Sequence, residues 1–258
     1  MRWDGGFLPP MLAQAGDGPF DDPAWRFEPK WDGWRALVGR GARFSVWSRR
    51  GRDLLAWFPE LRDLEEALAP SCLLDGELVS LSPEGRPDFL SLRQRHPPAL
   101  RYVAFDVLAA EGELIVAEPL TDRVSRLGVV LRPGGRLLPS PAVAETGRRF
   151  YEAAAALGFE GVMAKRLSGV YRSGRRSDGW LKLPIYTRLV LSIRDVVARP
   201  DGISLVVADA AHGAVGRIAV AAPPPPGVDR VLVLTRGRTP TGRLRHPRFL
   251  AYGGEERP

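Results

Sequence analysis

From Leu189 onward the chain is cut into short valine-rich segments, Leu189 to Ala198, Ile203 to Ala208, Arg217 to Ala221 and Arg230 to Leu234. Asp201-Gly202, Gly213 and the proline run Pro223 to Pro226 separate them. β-Branched runs bounded by turn formers read as strands, so this stretch is expected to be a small all-β, barrel-like module. The proline run is a stiff loop inside it.

Upstream the texture is mixed. Trp34 to Arg40 and Arg43 to Ser48 surround Gly39 and Gly41 and read as a two-stranded hairpin, with further strands over Leu73 to Leu81 and Tyr102 to Leu108. Pro59 to Leu68 puts Leu61, Leu64 and Leu68 at helical spacing behind a first-turn proline. Alanine-rich Glu145 to Leu157 is expected to be a second helix. The chain therefore reads as α+β over residues 1–187, followed by the all-β domain over 188–258.

Composition removes several classes. The apolar share suits a chain that buries real cores, and no apolar run approaches the roughly 20 residues that cross a bilayer. Met1 to Pro10 lacks the layout of a signal peptide, so a soluble, cytoplasmic protein with no membrane partner is expected. Cys72 has no partner for an internal disulfide and is expected to pack as a small apolar residue. His96, His212 and His246 show no metal-ligand spacing. The net charge of +7 suits a phosphate-bearing partner. Neither a Walker-type phosphate loop nor a dinucleotide-binding glycine turn is present.

The densest chemical signal is Glu28-Pro29-Lys30-Trp31-Asp32-Gly33-Trp34-Arg35. Taken alone, a lysine among acids is usually a solvated surface pair. Five more patches follow: Ser48-Arg49-Arg50-Gly51, Asp75-Gly76-Glu77, Phe105-Asp106, Glu160-Gly161-Val162 through Lys165, and Trp180-Leu181-Lys182. In order and spacing the set resembles the covalent nucleotidyltransferases, from about Met11 to Leu183. Pro9-Pro10-Met11-Leu12-Ala13 at the start and Gly242-Arg243-Leu244-Arg245-His246-Pro247-Arg248-Phe249 at the end make it most similar to bacterial ATP-dependent DNA ligases of the repair type.

That resemblance implies an adenylation domain of antiparallel sheets with flanking helices, then an OB-fold barrel. It implies Lys30 as the nucleophile that takes AMP from ATP. Only a deprotonated amine attacks phosphorus, and free lysine has a pKa of about 10.4, so neighbouring cations and a bound metal would be needed to favour the neutral form. Glu28, Arg35, Glu77, Phe105, Lys165 and Lys182 are implied as ATP or AMP contacts. Glu160, Glu77 and Asp32 are implied as carboxylates for Mg2+ or Mn2+, with Glu77 also a candidate for the ribose. Arg49 would contact the nick phosphate, and Arg172, Arg175 and Arg176 would lie along the DNA backbone. Without the resemblance, Phe105 would serve equally as core, and Arg35 and Arg49 as strand-edge charges. Trp31 and Trp34 flank the nucleophile and read as core or cleft wall.

The implied partners are nicked duplex DNA and a DNA end-binding or polymerase protein, acted on by a monomer near the bacterial nucleoid. Two departures stand against the family pattern. Pro184 occupies the place of a second lysine after Lys182, and the end Tyr252-Gly253-Gly254-Glu255-Glu256-Arg257 departs from a motif that orients pyrophosphate, leaving Arg257 or Arg243 as substitutes. They keep open an RNA ligase, a ligase needing preadenylated ends, and a nick-binding pseudoenzyme.

Overall fold

The computed structural model describes residues 1–253 except 84, 86, 90, 95, 96, 98, 133, 201 and 240. His96, the turn residue Asp201 and the altered tail from Gly254 to Arg257 therefore lie outside the described residues. The chain divides into two compact units, Met1–Leu183 and Pro184–Pro258.

In chain order the first unit contains β1 (Leu12–Ala15), β2 (Asp22–Pro29), β3 (Trp34–Arg40), β4 (Phe44–Ser48), β5 (Cys72–Ser80), β6 (Leu100–Ala110) and β7 (Glu113–Leu114). There follow α1 (Leu120–Ser125), α2 (Leu127–Val130), β8 (Leu137–Pro139), β9 (Val143–Glu145), α3 (Gly147–Ala156), β10 (Gly161–Arg166) and β11 (Arg176–Pro184). One sheet runs β4-β3-β5-β6-β7 with β8 beside β6, and a second runs β1-β11-β10-β2-β9.

β5 and β6 are buried on both faces, which is why their apolar residues run together rather than alternate, broken in β5 by Asp75-Gly76-Glu77 and in β6 by Arg101 and Asp106. On one face Ala36, Val38, Leu74, Leu78, Tyr102 and Val107 pack against Leu61, Leu64, Leu68, Leu127 and Val130. On the other, Leu37, Leu73, Phe105 and Leu108 meet Met11 just before β1, Tyr171 in the loop before β11, and Trp180 of β11. Truncating any one of these fully buried leucines to alanine costs on the order of 2–5 kcal/mol.

The helix expected over Pro59 to Leu68 is instead a 3-10 turn over Pro59–Leu64. Leu61 N–H to Phe58 O, Glu65 N–H to Arg62 O and Ala67 N–H to Leu64 O all close three residues back. A spacing of three between Leu61 and Leu64 suits that tighter winding as well as an α-helix, and all three leucines are buried as expected. The expected helix from Glu145 begins at Gly147, because Glu145 belongs to β9 with a left-handed φ of 68°. The carboxylate of Asp21 accepts the Arg148 amide at 2.9 Å and satisfies the helix start from outside.

The second unit is a five-stranded antiparallel sheet in the order β14-β13-β12-β15-β16, formed by β12 (Thr187–Arg199), β13 (Gly202–Asp209), β14 (Gly213–Val220), β15 (Arg230–Thr235) and β16 (Arg248–Tyr252). Leu191, Leu205, Val207, Val215, Ile218, Val231 and Val233 form its core. Just before β16 the Leu244 amide donates to Val215 O of β14 at 2.9 Å, drawing the two outer strands together into an OB-like half-barrel. Among the described residues no helix is long and apolar enough to cross a membrane.

Candidate active site

Strand register places the first group of side chains. Arg35 on β3 stands opposite Glu77 on β5, and Asp75, two residues from Glu77, shares its face. Between β5 and β6 the partners step from Asp75↔Asp106 to Gly76↔Ala104, so Phe105 is the extra residue of a bulge. Bulges re-aim side chains, and Phe105 lines the pocket described below. On β2 and β10, Met163 pairs with Glu28 and Lys165 with Arg26, which puts these four side chains on one face. Trp180 and Lys182 share a face of β11.

Lys30 follows β2 directly, and its amide donates to Gly161 O at 2.9 Å. Gly33 is obligatory here, since a Cβ would come within 2.1 Å of Leu78 O. Trp31 fastens the same loop, its indole N–H donating to Ser140 Oγ at 3.1 Å and its ring meeting Phe159 edge-on at 5.4 Å. The neighbour of Phe159 is Glu160, whose carboxylate pairs with Lys30 Nζ. Residues 130 positions apart thus meet at the amine.

Lys30 lines a pocket of roughly 270 Å³ together with Glu28, Trp31, Arg35, Arg49, Glu77, Phe105, Met163, Lys165, Arg176, Trp180 and Lys182, and β1 contributes Leu12 and Ala13. At one wall, Lys165 Nζ donates to Glu28 Oε2 at 2.7 Å and to Phe105 O at 3.2 Å. Lys165 Nζ also lies 4.2 Å from the Phe105 ring centre and 4.4 Å from that of Trp180. Arg26 Nε is 3.0 Å from Glu28 Oε1, but out of line, so this buried carboxylate oxygen has no hydrogen-bond donor. Arg49 is exposed at the Ser48–Gly51 turn, where its amide donates to Arg35 O at 3.1 Å.

Burial dominates the electrostatics. It pushes the Glu77 carboxyl up to about 7, against the nearby positive charges of Arg35 and Lys30 and with Asp75 and Asp32 adding to the rise. It lowers the Lys165 ammonium, opposed by Glu28 and Asp106. Burial also disfavours the Arg35 cation, but the Asp75 carboxylate outweighs it and holds the guanidinium above its ordinary value.

Of the residues singled out from sequence, Glu28, Lys30, Arg35, Arg49, Glu77, Phe105, Lys165, Arg176 and Lys182 all line this pocket. Glu160 reaches it through Lys30. Arg172 and Arg175 are exposed on the loop before β11 and are not among its lining residues. Asp32, Glu77 and Glu160 do not form a cage: among the described residues no group of three or more His, Cys, Asp or Glu side chains is placed to hold a metal ion. A magnesium ion that takes one or two carboxylates beside substrate phosphates fits such a donor set better than one held by protein alone.

Sequence reasoning missed the support behind the pocket. Asp75 receives Arg35 Nε and Nη2 and the Tyr171 hydroxyl. Arg123 and Asp106, both fully buried, form a bidentate pair at 2.8 and 2.9 Å. The period-two spacing of Asp75 with Glu77 on a strand opposite Arg35 is a signal for the first, whereas nothing in the spacing marks Tyr171 or Arg123.

The family model for the ATP dependent DNA ligase domain matches residues 10–183. DNA ligase C1 of Mycolicibacterium smegmatis is 37% identical over 192 residues, covering 66% of this chain and 54% of the relative. The multifunctional non-homologous end joining protein LigD of Pseudomonas aeruginosa is 40% identical over 194 residues, covering 70% of this chain and 22% of the relative. The chain thus spans well under two thirds of either relative's length. The crystal structure of the ligase domain from M. tuberculosis LigD superposes with a TM-score of 0.64 at 26% identity, covering 95% of each chain.

Proposed function

Because the chain belongs to the ATP-dependent DNA ligase family, we propose that it seals 3′-hydroxyl/5′-phosphate nicks in duplex DNA through AMP carried on Lys30. The observation that carries this reading is the Lys30 amine held against Glu160 inside a pocket with an unsatisfied acceptor at one wall and cations at its edge.

Glu28 Oε1 lacks a donor in a buried wall, and the exocyclic amine of adenine supplies one. A guanine would present a carbonyl oxygen there and leave two acceptors facing each other, so the wall favours ATP over GTP. Phe105 offers its ring to the base, and Arg35, Lys165 and Lys182 offset charge on ribose and phosphates. The Lys30 amine attacks the α-phosphorus, the bond to pyrophosphate breaks, and a phosphoramidate forms. A 5′-phosphate oxygen at the nick next displaces Lys30 and takes the AMP. The 3′-hydroxyl oxygen then attacks the phosphorus of the nick's own 5′-phosphate, breaking its bridge to AMP, closing the backbone and releasing AMP. Glu160 and Glu77 would hold Mg2+, which when bound withdraws charge from the phosphates. Arg49 and Arg176 at the pocket, and Arg172 and Arg175 outside it, supply the DNA contacts. In domain terms, residues 1–187 are the adenylation domain and 188–258 the OB domain of a cytoplasmic repair enzyme.

The test is transfer of label from α-labelled ATP. Wild type with Mg2+ is expected to retain label after denaturation, Lys30→Ala to retain none, and chelation of the metal to prevent labelling without unfolding the chain. A wild type that stays unlabelled yet seals preadenylated nicks would replace this reading with the one Pro184 favours, a ligase fed with activated ends.

A further inference from the structure

The pocket wall is held by a closed ring of hydrogen bonds. Tyr171 donates its hydroxyl to Asp75 Oδ2 at 2.5 Å and accepts the Met11 amide at 2.9 Å. Asp75 receives Arg35 through two nitrogens, and Arg35 Nη2 returns to Met11 O at 3.4 Å. Asp75 is completely buried and Tyr171 nearly so. Arg35 is aimed by this ring, its guanidinium lying 4.7 Å from the Phe105 ring centre and 5.3 Å from that of Trp180.

We propose that Tyr171 is a positioning residue for the nucleotide site: its hydroxyl fixes the Asp75 carboxylate, which in turn fixes the Arg35 guanidinium in the pocket. The inference rests on the assignment of this pocket to ATP. A carboxylate that accepts three donors has one settled orientation, whereas one that keeps only the guanidinium pivots with it. The Tyr171 ring is itself pinned, edge-on to Trp180 at 5.8 Å and beneath Arg123 at 5.7 Å, so removing the hydroxyl alone leaves the packing in place. The ring continues outward as well. Arg172 N–H donates to Met11 Sδ at 3.0 Å, Leu12 N–H to Arg175 O at 2.8 Å and Ser173 Oγ to Pro9 O at 2.7 Å. Tyr171 therefore stands where the nucleotide wall is laced to the basic loop.

The experiment measures ATP affinity by titration in the Lys30→Ala background, where no chemistry intervenes, and KM and kcat for self-labelling in the Lys30 protein. Tyr171→Phe is combined with Arg35→Gln, and Tyr102→Phe is the control, since that equally buried hydroxyl donates to Ala36 O instead. Tyr171→Phe is expected to weaken ATP binding and raise KM about tenfold, the equivalent of one charged hydrogen bond, with kcat within about twofold. In the Arg35→Gln background the same substitution is expected to add nothing. An unchanged affinity, a loss matched by Tyr102→Phe, or a loss that multiplies with Arg35→Gln would overturn the assignment. Wild type that binds ATP without labelling sinks the ligase mechanism but not this positioning role, and absence of ATP binding sinks both.

Discussion

Glu77 faces Arg35 across a strand pair, yet burial wins over that neighbour and pushes its carboxyl up to about 7 from the ordinary 4.5. Between these two values the unfolded chain has already released a proton that the folded chain retains. Glu77 therefore favours folding fully only below pH 4.5, and that favour is lost as pH rises to 7. Glu77→Gln removes the penalty, so at pH 8 it should stabilise the protein by on the order of 2 kcal/mol in urea denaturation. The same substitution should lower Lys30 labelling, because the amide offers no anionic oxygen to a cation. Residues of this kind were legible as chemistry: an acid, a lysine or an arginine in a spaced patch announces itself. Tyr171 and Arg123 were not, because their role comes from whom they touch after folding, and Asp75 showed only through its spacing from Glu77.

At the scale of elements, the tightest constraint is the turn that enters β3. A Cβ on Gly33 would come within 2.1 Å of Leu78 O and 2.9 Å of Glu77 Cγ. Gly33→Ala must push the Lys30 loop off β5, and is expected to cost about 1–3 kcal/mol by overpacking and to suppress labelling. Gly18→Ala, with open space around it, is expected to leave both melting temperature and labelling unchanged. Strands with strong alternation or long apolar runs were readable, as β3, β5 and β6 fall within two residues of their expected bounds. β2, which ends next to Lys30, was missed: Asp22-Pro23-Ala24-Trp25-Arg26-Phe27-Glu28-Pro29 contains two prolines and three buried or half-buried charges, a poor strand by composition. Its Glu28 lines the pocket with Arg26 beside it on the same face, so no simple alternation records them. The 3-10 turn was misjudged for the opposite reason, since its buried leucines satisfy two periods at once.

Across the molecule, the proposed contact with DNA depends on where the positive charge sits. Arg172 and Arg175 are exposed and separate from the pocket, so replacing both with alanine should leave Lys30 labelling intact. Affinity for nicked duplex should fall, and the slope of its logarithm against that of salt concentration should flatten by about 2, as two phosphate contacts are lost. Basic composition hinted at this partner, but only the fold separates arginines that line the pocket from those outside it. β1 pairs in parallel with β11, Leu12 against Arg176 and Ala15 against Lys182. Nearly the whole first unit must be synthesised before this seam can form, so a ribosome-bound chain lacking β11 displays Lys30 without the cleft that makes it reactive. High contact order of this sort slows folding, so the pocket that Lys30 lines closes late, after most of the unit's chain is already in place.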